Sequence, residues 1–160
     1  MNRMRYDWSE IIGKALAIVP VVVECDWFVG ADVVHAGLSP YFSVDDGRSY
    51  RDTAHTLYSS HSVDRRTTIV LPGRARQQLN NYPDAVGVVV HEIGHVIDKQ
   101  YGFTRIMKPV TSYAESDHYE AFAEAFTRWL VPSWQHRWWN SRPLVLDDVA
   151  WLEANIVESS

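Results

Sequence analysis

The residues with the most chemical promise lie in "VVVHEIGHVID", Val88 to Asp98, where two histidines and a glutamate interrupt a run of valines and isoleucines. Imidazole and carboxylate groups are costly to bury unless something pairs with them. Either backbone or solvent satisfies them, or they hold a metal. If the segment is helical, His91 and His95 stand one turn apart on one face, close enough for both rings to reach a single ion. Glu92 is about 100° round from His91, beside that ion rather than on it. This is the H-E-x-x-H arrangement, in which a metal-activated water meets a carboxylate able to take its proton.

A catalytic zinc needs a third protein ligand and one open position. Extension to H-E-x-x-H-x-x-G-x-x-H fails, because Asp98 and Tyr101 occupy the places of Gly and His, so the metzincin branch is excluded. The better source is "TSYAESDHYEAFAEAF", where Glu120 and Glu124 stand at i and i+4 on the flank of an apolar helical stripe. Like charges at that spacing repel by a few tenths of a kcal/mol. A cation and a histidine N–H would remove the objection; two solvated glutamates on a helix shoulder are the plainer alternative. Spacing does not choose between Glu120 and Glu124 as the ligand.

"HEIGHVIDKQYG" followed by "TSYAESDHYEAFAEAF" resembles the catalytic domain of the anthrax lethal factor family of gluzincin metallopeptidases. The match comprises the H-E-x-G-H core, Asp98 three residues after the second histidine and Gly102 closing the helix. It continues in the Ser112-Tyr113 pair and a Glu seven residues after that Tyr within "E-x-F-A-E-A-F". It covers Val88 to Phe126 and neither the first half of the chain nor the tryptophan-rich tail. The resemblance implies that His91, His95 and Glu120 bind one Zn2+, that Glu92 is the general base, and that Tyr113 donates a hydrogen bond to the developing oxyanion or leaving group. It also implies that Glu124 orients His91 from behind, as carboxylates do for ligating imidazoles. Asp98, on the histidine face, is a further candidate partner for a ligand, with an ordinary helix-end carboxylate as its alternative. The intervening segment is short here and nothing matches the toxin's delivery or substrate-selecting domains, so delivery into foreign cells is not implied.

The elements that must position these groups can be read from periodicity. Trp8, Ile11, Ile12, Ala15, Leu16 and Val19 recur at helical spacing up to Pro20. "VVVECDWFV" and "RTTIVLPG" read as strands, with shorter ones near Tyr41 to Val44 and Thr56 to Tyr58. Asp84 is placed to cap a helix running to about Tyr101. Its valines lower helix propensity, but Val86, Val89, Val90, Ile93, Val96 and Ile97 gather on one side at about 100° per residue, and His91, His95, Asp98, Gly87 and Gly94 on the other. A second helix is predicted from Asp117 to Leu130, with Tyr119, Phe122, Phe126 and Leu130 buried. A third is predicted in "LDDVAWLEANIV", capped by Asp147 or Asp148. The expected fold is α+β: one minimal zincin-like domain over residues 1–160, a small twisted sheet crossed by the active-site helix, and a following helix with the third ligand. "RTTIVLP" would be the edge strand that pairs with an extended substrate.

Composition narrows the function classes. The chain has 160 residues, 46% hydrophobic and 22% charged, enough for one core without staples. A net charge of −5 offers no basic surface for nucleic acid. "MNRMRYDWSE" has no apolar run or cleavage site of the secretory kind. The most apolar segment is broken by Pro20, Glu24, Asp26 and Asp32, so neither membrane nor export is expected and a cytoplasmic location is. A lone Cys25 reads as a buried thiol. His55 and His61 lack ligand-like helical spacing, and His118 and His136, near the ends of the second helix, read as solvated; five of the seven tryptophans, from Trp129 on, read as core for the tail, with an exposed recognition surface as the alternative. The reading is a zinc-dependent endopeptidase acting on an intracellular protein or peptide. Its rivals are a catalytically silent zincin used as a protein-binding module and a metal-free helical protein with an accidental motif.

Overall fold

In the computed structural model, which describes residues 8–20, 28–29, 32–33, 41–45, 55–57, 68–72, 82–133 and 141–156, the first helix, α1, spans Trp8–Ile18. It buries Trp8, Ile11, Ile12 and Ala15. Val19 still donates to the Ala15 carbonyl before Pro20 ends the run. The long helix α2 spans Tyr82–Gln100. Pro83 sits in its first turn, where a missing N–H costs nothing, and Asp84 lies inside that turn rather than before it. At the other end Gly102, at φ +68°, donates to Lys99 O while Phe103 donates to Asp98 O. This paired closure needs a left-handed residue after the helix, which is where the sequence has glycine.

Helix α3 spans His118–Leu130, and Asp117 caps it by accepting from the Glu120 N–H at 2.8 Å. Phe122 and Phe126 are fully buried, whereas Tyr119 is exposed and Leu130 only half-buried. The apolar stripe is therefore narrower than its periodicity predicts. Helix α4 spans Leu146–Asn155 and starts from Val145, so neither Asp147 nor Asp148 is its cap. Asp148 instead turns inward, accepting from Arg105 at 2.6 Å and from the Lys108 N–H at 2.9 Å, which fastens the segment after α2 to α4. Arg105 also lies over the Trp151 ring. Trp129 and Trp151 pack against the core; Trp134, Trp138, Trp139, Cys25, His61 and His136 lie outside the described residues.

The α+β expectation is corrected: the body of the described residues is helical, four α-helices in all. Helix α2 is packed by α3 and by α1, and among the described residues the buried core is drawn from helices and their connections, joined by Ile69 and Leu71 of a short extended segment. The extended segments are two to five residues long: β1 Phe28–Val29, β2 Asp32–Val33, β3 Tyr41–Asp45, β4 His55–Leu57 and β5 Thr68–Pro72. They pair as two small patches, β1 with β2 and β5 between β3 and β4. The reason for the helical body is visible in α2. Its histidine face, which a sheet-based zincin would turn to a cleft, is covered by α3, so Val86 to Asp98 is buried nearly all round. The edge-strand reading falls as well, because β5 has β3 parallel on one side and β4 antiparallel on the other.

Candidate metal centre

Gly94 explains how the second helix comes near enough to share the site. A Cβ there would stand 3.1 Å from Ala123 Cα and 3.1 Å from Phe126 Cδ1. A side chain there would require α3 to give by a few tenths of an ångström, so glycine suits this close approach. The approach brings the α3 glutamates against the α2 histidines.

His91, Glu92 and His95 each present a ligand atom, and the three atoms lie within 4.8 Å of one another. Glu120 spans the histidines: its Oε2 is 3.0 Å from His91 Nε2 and its Oε1 is 3.3 Å from His95 Nε2. Ligand atoms around a tetrahedral zinc, bonded at about 2.0–2.2 Å, stand about 3.3–3.5 Å apart. The observed spacings are close to that, and two imidazoles with one carboxylate form a known donor set for catalytic zinc. The residues could therefore hold a metal ion.

Behind the histidines, Glu124 is fully buried and accepts from His91 Nδ1 at 3.0 Å. Its other oxygen accepts from Thr111 Oγ1 at 2.9 Å. The two glutamates that spacing left equivalent are thus separated by geometry: Glu120 faces both Nε2 atoms, and Glu124 holds the far side of one ring. Thr111 was missed by sequence reasoning. A threonine two residues before the tyrosine carries no motif, and its role depends on a chain reversal between residues 102 and 117.

Electrostatics follow from this packing. Burial alone would lower the His91 pKa, but hydrogen bonds to Glu120 and Glu124 and the charges of Glu124 and Glu92 win and raise it well above the ordinary value. Both ring nitrogens can donate at once only in the imidazolium form. Burial would likewise raise the Glu120 pKa, yet the His91 and His95 hydrogen bonds hold it well below the usual carboxylate range. Two side chains thus form a charged pair in the place where a cation would sit. For Tyr113 burial, then the charge of Glu120 and the hydrogen bond to it, then Glu92 and Glu124, all push the phenol up, so it stays protonated as a donor. Its ring centroid is 6.3 Å from that of His91.

The remaining sequence candidates divide. Asp98 is 1% exposed and within electrostatic reach of His95, but neither of its carboxylate oxygens has a hydrogen-bond partner among the described residues. Burial raises its pKa to about 7, against the opposing charge of His95. His118 is exposed and stacks on Tyr119 at the start of α3. Among the described residues no helix is long and apolar enough to cross a membrane. No protein-family model, curated protein or solved structure matches the chain.

Proposed function

We propose that this chain is a zinc-dependent endopeptidase of gluzincin type, acting in the cytoplasm on a protein or peptide. The observation that carries the reading is the convergence of His91 Nε2 and His95 Nε2 on the Glu120 carboxylate, with Glu92 buried beside them. His91, His95 and Glu120 would hold the ion. When bound, Zn2+ polarises a carbonyl and lowers the pKa of water towards about 7. Glu92 accepts the proton of the attacking water and delivers it to the leaving amine, since one carboxylate can serve as base and then as acid. Tyr113, kept protonated by its surroundings, donates to the carbonyl oxygen as negative charge develops there. Glu124 holds the His91 ring in the orientation that presents Nε2.

The test is metal analysis of protein purified without an affinity tag, followed by peptide-library cleavage with wild type and Glu92→Gln. Stoichiometric zinc in both proteins with turnover in wild type alone supports the reading. Zinc without cleavage leaves a binding module. Absence of metal uptake refutes the centre altogether.

A further inference from the structure

We infer that Thr111 is a positioning residue that ties the His91 ring to the turn carrying Tyr113, an inference that rests on the metallopeptidase reading above. The direction of each hydrogen bond around its hydroxyl is fixed by the partners. The Ala114 N–H has only a proton to offer and donates to Thr111 Oγ1 at 3.0 Å. The hydroxyl proton is then free for the Glu124 carboxylate, which accepts it at 2.9 Å. The other oxygen of that carboxylate accepts from His91 Nδ1. Three hydrogen bonds in series therefore run from α2 through α3 to the short 3-10 helix Tyr113–Ser116, in which Ala114 directly follows Tyr113.

Three further observations make Thr111 a fixed point rather than a passenger. It is 2% exposed, so water does not compete for either bond. Its backbone forms an antiparallel bridge with Ser141, and the Arg142 N–H donates to the adjacent Val110 carbonyl at 2.6 Å. Arg142 also pairs with Glu115 at 2.5 Å, within the same 3-10 helix, so the Tyr113 turn is held from inside by Thr111 and from outside by Arg142. A β-branched residue restricts χ1, and that keeps the hydroxyl aimed at Glu124. A serine could make the same two bonds with less restriction; valine has the same shape and makes neither.

The test uses the full chain with zinc and cobalt as probes, so that it does not depend on a substrate. Zinc affinity is measured by chelator competition, and the visible spectrum of the cobalt-loaded protein reports how the ligands are arranged. Thr111→Val is expected to bind zinc about 10-fold more weakly, at the low end for losing a partner behind a ligand, and to shift the cobalt bands. Thr111→Ser is expected to restore both to near wild type. In a Glu124→Ala background the Thr111→Val effect on affinity should largely vanish, because the two act through one bond. If the valine variant does not fold, Thr111→Ala, which adds no bulk, is compared with serine in the same way. Wild-type affinity and an unchanged spectrum in the valine or alanine variant overturn this inference alone. A wild-type chain that takes up neither metal overturns the metallopeptidase reading and this inference with it.

Discussion

Replacing each of the two α3 glutamates by alanine should give opposite orders for metal binding and for stability. Glu124 is wholly buried, and its loss strands two donors, His91 Nδ1–H and the Thr111 hydroxyl, away from water. Each stranded group costs about 1–3 kcal/mol, so the metal-free protein should lose about 2–6 kcal/mol. All three proposed zinc ligands remain, and affinity should fall only about 10- to 100-fold, equivalent to about 1.4–2.8 kcal/mol. Glu120 is partly open to solvent, with its side chain 18% exposed. Its removal should cost the metal-free fold less, since water can reach the groups left behind. It takes away one of the three proposed ligands, however, and zinc binding should be nearly abolished. Denaturant unfolding in the presence of a chelator gives the stability order, with Glu124→Ala the weaker fold, and chelator-competition titration gives the affinity order, with Glu120→Ala the weaker binder. If Glu120→Ala keeps zinc while Glu124→Ala loses it, the assignment of ligand and supporting carboxylate is reversed. If both variants unfold alike and bind alike, the separation drawn from the geometry is wrong.

Tyr113→Phe should lower kcat by about 10- to 1,000-fold at unchanged zinc content, the scale for losing one oxyanion donor; equal kinetics would leave the ring as packing. Gly94→Ala gains about 1 kcal/mol of helix propensity but places a methyl 3.1 Å from the Ala123 Cα, which is backbone and yields little. Overpacking of this kind costs about 1–3 kcal/mol, so a lower melting temperature and weaker zinc binding are expected together, and a stabilised variant would show that the helices separate freely. Asp98, with its pKa raised to about 7, resists ionising in the folded chain while it ionises near 4 in the unfolded one. Its contribution is therefore fully present below about pH 4 and lost as pH rises through about 7, on the order of 2–4 kcal/mol. Asp98→Asn should flatten the metal-free protein's stability over that window, and an identical decline in the variant would remove Asp98 as its cause.

How far the fold could be read depended on which neighbour each helix face meets. The 3.6-residue pattern located α1, α2 and α3 to within a few residues, because the apolar stripe of each is long and its ends carry Pro20, Gly102 and Asp117. The same pattern misled about what lies against the stripes. Val86 to Ile97 signals one apolar face, and the opposite face, with two glycines and the ionisable groups, reads as the wall of an open cleft. Yet small residues face each other there as well, Gly94 against Ala123, and they permit a helix-on-helix contact that no hydropathy scale registers. The pattern thus points to a sheet as the second layer, and α3 covers that face of α2 instead. Tyr119 shows the same limit on a smaller scale: it falls on the stripe by angle, but it sits in the first turn of α3, beyond the end of the contact, and is exposed.

The site was legible to the extent that its groups lie at helical spacing, and illegible where they are joined across the chain. His91 and His95, or Glu120 and Glu124, are neighbours by periodicity alone. That Glu120 meets the Nε2 side of the histidines and Glu124 the Nδ1 side of one of them depends on the rotation of α3 about its own axis. The rotation is set by Phe122 and Phe126, both fully buried in the core that α2 shares. Truncating either would cost about 3–5 kcal/mol, far more than the few tenths of a kcal/mol by which the two glutamates repel each other, so the phenylalanines decide which way the glutamate face is turned. The Asp117 cap fixes the same register from the end, since it bonds the amide of Glu120 itself. The apolar half of α3 thus decides the chemistry of its polar half. Phe122→Ala is therefore expected to weaken zinc binding as well as lower the melting temperature, and wild-type zinc affinity by chelator competition in the folded variant would show that the register is set elsewhere.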